Sequence, residues 1–271
     1  MEASLQVISN EMIKPSSETP PHLTKLKLSY LDQKSPPIYI PMIFFYQADA
    51  LRGLTSSNHI QISRQLKQSL SNTLTLFYPL AGRIDVEDRS VVDCNDAGAE
   101  FIEARVQAPL NHVLLEPITE QLKHLMPGAG DATAGARPGA ALVAVKITFF
   151  DCGGIAIGVC VSHMLADLAS AMTFLNAWAA SCKGEAEVPR FTLDLADYFP
   201  PREFPDSPAH LRKLTSNEKK IVTKRFVFNK EKLEALKQAA ALSIWIKCEE
   251  SDKSGSRLSF YLETLHRCGE I

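Results

Sequence analysis

Two apolar runs set the strongest limit on what this chain can fold into. Ala141-Leu-Val-Ala-Val-Lys-Ile-Thr-Phe-Phe150 and Gly154-Ile-Ala-Ile-Gly-Val-Cys-Val161 stand either side of Asp151-Cys-Gly, a short glycine-bearing join that makes them an antiparallel hairpin. In the second run Ile155, Ile157, Val159, Val161 and then His163 share one face of a period-2 strand. Ala156, Gly158, Cys160 and Ser162 keep the other face narrow enough for close packing. The apolar row therefore ends on a histidine. After Asp167 the pattern changes to Leu168, Met172, Leu175 and Ala179 at helical spacing, which puts His163 and Asp167 on a strand-to-helix turn. Turns of this kind often carry functional sites.

A histidine at a strand mouth with a carboxylate four residues on is how a general base for acyl transfer would be built. It is equally how a core histidine hydrogen-bonded to a nearby acid would look, and the spacing alone is a weak signal, so the residues leave both readings open. Cys160 lies near His163 in sequence but on the opposite strand face, so it reads as a small packing residue and not as a nucleophile.

Composition excludes several classes. With 45% hydrophobic residues, 22% charged residues and a formal charge of -2, this is an ordinary globular composition without the basic field that nucleic-acid binding requires. The apolar run Ile38 to Tyr46 is interrupted by Pro41 and is too short to span a bilayer. Met1-Glu-Ala-Ser-Leu-Gln lacks the order of a cleavable leader, and a cytoplasmic location is the default expectation. The six cysteines (94, 152, 160, 182, 248 and 268) form no Cys-x-x-Cys pair and no metal-ligand spacing, so reduced thiols and no metal are expected.

Helical and extended patterns mix without a regular βαβ repeat, which predicts an α+β or mixed α/β fold. Gln6 to Asn10 predicts a short strand, and Ile38 to Tyr46 another. Ile62, Leu66, Leu70 and Leu74 predict an amphipathic helix capped through Ser56, Ser57 and Asn58. Ser90 to Cys94 and Glu100 to Val106, either side of Asn95-Asp-Ala-Gly98, read as a second hairpin. Pro127 to Ala140 is low in complexity and predicts a mobile loop, without the Gly-Lys-Ser/Thr of a phosphate loop.

Several segments in order then resemble the plant BAHD family of acyl-CoA-dependent acyltransferases, in its vinorine-synthase-like branch. They are Leu28-Ser-Tyr-Leu-Asp-Gln33, Thr75-Leu-Phe-Tyr-Pro-Leu-Ala-Gly-Arg83, Val161-Ser-His-Met-Leu-Ala-Asp167 with Phe174-Leu-Asn-Ala-Trp-Ala, Leu195-Ala-Asp-Tyr-Phe-Pro-Pro201 and Lys224-Arg-Phe-Val-Phe228, and the stretch they match is residues 1–240. Leu168 departs from the small residue that the family commonly has there. The resemblance implies a chloramphenicol-acetyltransferase-like domain, a mixed sheet flanked by helices, with residues 1–210 as the N-terminal acyltransferase domain. Residues 211–242 would begin the crossover to a second domain, and 243–271 would be an atypical, poorly ordered tail. It implies His163 as catalytic base and Asp167 as a structural residue that points away from the pocket and pairs with an arginine. It also implies acyl-CoA, expected to be acetyl-CoA, as co-substrate with no bound cofactor, and a small-molecule alcohol or amine of plant specialised metabolism as acceptor.

The resemblance implies a protein about twice as large as the matched stretch, with an Asp-Phe-Gly-Trp-Gly motif in a second domain, and that motif does not occur in these 271 residues. The expectation is therefore a truncated relative. Two readings follow: an acyltransferase completed by another polypeptide or by further sequence, or an inactive paralogue or splice product acting only by binding, or not at all. The chain alone is expected to give no detectable transfer. Family members are usually monomeric, and self-association through exposed interdomain surface is expected here. A peptide-synthetase condensation domain is disfavoured because Ser162 stands where those domains carry a second histidine.

Overall fold

A computed structural model describes residues 5–51, 59–85, 87–115, 118–130, 139–185, 191–202 and 228–248. The predicted hairpin forms: β7 (Val143–Phe150) and β8 (Ile155–Ser162) pair antiparallel, with Val145 opposite Val159 and Val143 opposite Val161. All sixteen of their residues are buried, Lys146 and Thr148 among them, which is why both strands read as nearly continuous apolar runs in sequence. They form the middle of a five-stranded sheet in the order β1-β6-β7-β8-β3, where β1 is Leu5–Ile13, β6 is Ala99–Val106 and β3 is Tyr39–Tyr46. The β6–β7 pair is parallel and the others antiparallel, so the sheet is mixed, as expected for this fold class.

On one face of this sheet lie the helices α2 (His59–Leu76) and α5 (Leu168–Lys183). Leu70 and Leu74 of α2 and Phe174 of α5 are fully buried against Val145, Ile147, Val159 and Val161. The Trp178 indole N–H donates to Ser69 Oγ at 3.0 Å and locks the two helices together. The opposite face is covered by the segment holding α3 (Asn111–Leu115) and α4 (Thr119–Lys123), through Leu110 and Leu125. Other short α-helices among the described residues are α1 (Tyr30–Lys34) and α6 (Leu195–Tyr198). The residues expected to cap α2, 56–58, lie outside the described residues, as does 131–138 of the expected mobile loop.

Pro41 sits in β3, at one edge of the sheet. Alternate residues of an antiparallel edge strand point their N–H away from the neighbour. His163 N donates to Ile38 O, so Ile38, Ile40 and Met42 face β8, and Pro41 falls on the open side where no ladder bond is lost.

The second hairpin does not form. β5 (Val91–Asp93) belongs to a separate three-stranded sheet with β2 (Lys25–Lys27) and β4 (Arg83–Ile84), whereas β6 belongs to the main sheet. The connecting loop is claimed by other segments. Asp96, at φ 54, accepts from Thr19 N at 2.8 Å and Thr19 Oγ1 at 2.7 Å, and Gly98 N donates to Ala81 O at 2.8 Å. Gly98 has φ 90, and a Cβ there would stand 2.5 Å from Ile13 O, so the chain is redirected at a point where only glycine fits.

Lys67 of α2 ties the helix to the sheet by donating to Glu11 of β1 and Glu103 of β6. Burial alone would raise the Glu103 carboxyl, but the hydrogen bond and charge of Lys67 outweigh it and hold it below the ordinary glutamate value. A depressed carboxyl contributes stability that is present above the unfolded-state value, about 4.3, and is lost as pH falls through the lower folded value. Lys67→Met is therefore expected to flatten the fall of melting temperature below about pH 4. An unchanged slope in that variant would show that the pair carries no linkage.

The chain divides into two units, residues 1–218 and 219–271. In the second unit the described element is the helix α7 (Lys230–Cys248), which runs past the boundary drawn at residue 242. Residues 203–227 and 249–271, which hold the rest of the expected crossover and tail, lie outside the described residues.

Candidate active site

β8 ends at Ser162, and the chain turns over residues 163–165 before α5 begins at Leu168. Backbone bonds fix the turn, among them a fold-back of Leu165 N onto Ser162 O at 3.1 Å. His163 N donates to Ile38 O at 2.8 Å, Ser162 N donates to Leu142 O at 2.8 Å, and Ala166 N donates to Ser162 O at 3.1 Å. The histidine thus leaves the sheet between the first residues of its two neighbouring strands. His163 is half-buried, and its Nδ1 is fully buried without a hydrogen-bond partner among the described residues.

Asp167 is exposed and is the N-cap of α5: its carboxylate accepts from Ser170 N at 2.7 Å. That bond, then the Ser170 hydroxyl, and more weakly the nearby His163 charge, hold the carboxyl below the usual aspartate range. The arginine partner expected for it is not found among the described residues. Asp167→Ala is expected to cost about 1 kcal/mol of stability through the lost cap, and Asp167→Asn much less. Thermal melts of the two variants check this, and an equal loss in both would show that charge and not capping carries the effect.

The small face of β8 is used as its residues suggest. Cys160 packs with Tyr39, Met126 and Ala144, and burial pushes its thiol up to about 12, which leaves no thiolate for nucleophilic attack near neutral pH. Cys94 is likewise buried and pushed up to about 12. No group of three or more His, Cys, Asp or Glu side chains could hold a metal ion among the described residues. No described helix is long and apolar enough to cross a membrane. Two open grooves, of about 500 and 470 Å³, flank α2 and include neither His163 nor Asp167.

Sequence reasoning found the histidine but not the residues that hold it, Ile38 and Leu142. The signal was present in principle: β3 and β7 are both apolar runs, and their registers with β8, Tyr39 opposite Ser162 and Val143 opposite Val161, carry Ile38 and Leu142, the residue before each strand, to His163 and Ser162. Two further segments of the resemblance also meet, since Tyr30 N donates to Phe199 O at 2.9 Å, and Gln33 exchanges hydrogen bonds with the Arg202 backbone at 3.0 and 3.2 Å.

The family model described as Transferase family matches residues 3–249. The chain belongs to the BAHD transferase family. Among BAHD proteins it is 45% identical over 250 residues to vinorine synthase of Rauvolfia serpentina, covering 89% of this chain and 56% of that protein. It is 44% identical over 247 residues to stemmadenine O-acetyltransferase of Catharanthus roseus, covering 90% and 56%. The crystal structure of vinorine synthase matches with a TM-score of 0.71 at 40% identity, over 94% of this chain and 57% of that one. The fold is thus the chloramphenicol-acetyltransferase-like BAHD fold, and the chain spans a little over half the length of these relatives.

Proposed function

We propose that this chain carries the general base of an acyl-CoA-dependent acyltransferase, which transfers an acyl group, expected to be acetyl, to a hydroxyl or amine of a plant specialised metabolite. The observation that carries the reading is the placement of His163. It stands where β8 passes into α5, fixed through its backbone on Ile38, with a ring nitrogen that no described protein group satisfies. The relatives named as O-acetyltransferase and, at 36% identity, as 17,18-epoxy-17-hydroxycur-19-ene N-malonyltransferase of Strychnos nux-vomica support acyl transfer to oxygen or nitrogen as the reaction class.

In this mechanism the acceptor hydroxyl gives its proton to the His163 imidazole as its oxygen attacks the thioester carbonyl. The tetrahedral oxyanion then collapses, the carbon–sulfur bond breaks, and the departing CoA thiolate takes the proton back from the imidazolium. An imidazole suits both transfers because it titrates near neutrality. No acyl-enzyme forms. Asp167, already committed to Ser170 N, favours the transient imidazolium only through its nearby charge and shapes the turn. The CoA thioester and the acceptor are the partners of this site.

The test measures CoA release from acetyl-CoA with a panel of hydroxylated and amino acceptors. It uses the chain itself and a chimera that continues it with the part of vinorine synthase beyond the matched region. Acceptor-dependent release that disappears in His163→Ala supports the reading. A chimera that is folded and binds CoA but transfers nothing to any acceptor would count against it.

A further inference from the structure

We propose that Tyr39 is a positioning residue for His163, a strap that fixes the strand end from which the histidine departs. The proposal rests on the general-base reading above. Tyr39 lies directly opposite Ser162 in the β3–β8 register, so the two side chains stand on the same face of the sheet. From there its hydroxyl crosses β8 and donates to Ala141 O, just before β7, at 2.6 Å. One side chain therefore spans three adjacent strands at the level where His163 begins.

The crossing is possible because the β8 residues beneath the ring are small. Ser162 is 1% exposed, Cys160 and Ala144 pack with Tyr39, and Tyr39 itself is 7% exposed. The strap reinforces two backbone bonds at the same level, His163 N to Ile38 O and Ser162 N to Leu142 O. It runs on the face opposite the Ile155-to-Val161 row, so it holds the strand end without displacing that apolar row from its contacts with α2 and α5. Only one feature of Tyr39 is needed for the bridge, the phenolic oxygen, and phenylalanine would pack equally well on Met126 and Cys160. That makes the hydroxyl separable from the core.

A general base works only when held within a fraction of an ångström of its productive position, and a displacement near 1 Å costs about a hundredfold in rate. Loss of one of several ties is expected to cost less. Tyr39→Phe should lower kcat about tenfold in the active chimera with KM for acetyl-CoA unchanged. The decisive readout does not need turnover: in the ¹⁵N-labelled chain, Tyr39→Phe should shift or split the ring ¹⁵N signals of His163, assigned by their absence in His163→Ala. It should also speed exchange of the His163 amide. Thr73→Val, which deletes a buried hydroxyl bond within α2, from Thr73 Oγ1 to Ser69 O at 2.8 Å, is the stability control and should leave the His163 signals in place. Ser162→Val, which keeps the Tyr39 hydroxyl but crowds its ring, should move the same signals as Tyr39→Phe. If His163 signals and amide exchange match wild type in both folded variants, Tyr39 has no positioning role. If instead they move while His163→Ala retains turnover in the chimera, the strap stands and the general-base reading fails.

Discussion

His163→Ala is expected to lower turnover of the active chimera by a factor of about a hundred or more, the usual consequence of losing a positioned base, while leaving the melting temperature nearly unchanged. The two halves of the expectation have separate causes. Turnover falls because, among the described residues, no other group at this turn is free to take the proton: the Cys160 thiol is pushed up to about 12, and the Asp167 carboxylate is occupied at the helix cap. Stability holds because the bond that fixes the turn, His163 N to Ile38 O, belongs to the backbone and survives in alanine. Truncation also removes a buried nitrogen that has no partner among the described residues, and relief of that unsatisfied polar atom, about 1–3 kcal/mol, offsets the packing lost from a half-buried ring. Asp167→Ala should behave in the opposite way, with weakened folding and little change in kcat once the variant is folded. Steady-state kinetics and melts of both variants decide the assignment. Near-normal kcat in His163→Ala would remove the base from the mechanism, and a folded Asp167→Ala without activity would make the aspartate part of the chemistry.

Both residues were legible in the sequence because local patterns place them: a strand of period 2 ending at His163, then a helical period beginning after Asp167. The β7–β8 hairpin was legible for the same reason, since two apolar runs joined by Asp151-Cys-Gly have few ways to pair. What stayed hidden depends on contacts between distant segments. Ser90 to Cys94 and Glu100 to Val106 carry every local mark of a hairpin, yet Thr19, seventy-seven residues before Asp96, takes that carboxylate and the strands part into different sheets. Likewise nothing near Tyr39 in sequence announces that its hydroxyl reaches Ala141, because that contact follows from the order of the strands and not from any period along one of them. The mixed sheet was expected from the family resemblance, and its strand order could not be read from periodicity alone.

Gly158 shows where a local reading and a distant contact coincide. The sequence marks it only as part of a small-residue strand face, but the turn after α4 lies against that face so closely that a Cβ at 158 would stand 2.3 Å from Leu125 O and 3.2 Å from Met126 Cα. Both obstacles are backbone atoms. Gly158→Ala is accordingly expected to destabilise the protein by about 3 kcal/mol, the upper part of the range for overpacking a core. The smaller conformational entropy of alanine in the unfolded chain works the other way but amounts to only about 0.4–1 kcal/mol, so the clash wins. Relief would require the turn to move off the sheet, which would uncover Leu125 and Met126, 4% and 3% exposed, and pull His124 O from the buried Lys146 ammonium that donates to it at 2.8 Å. Denaturant melts of Gly158→Ala, Leu125→Ala and the double variant distinguish a backbone clash from side-chain crowding. A backbone clash predicts that trimming the Leu125 side chain gives no recovery, with the two losses close to additive. Recovery in the double variant, or a Gly158→Ala protein as stable as wild type, would show that the turn yields and that the narrow face of β8 is not what holds this layer in place.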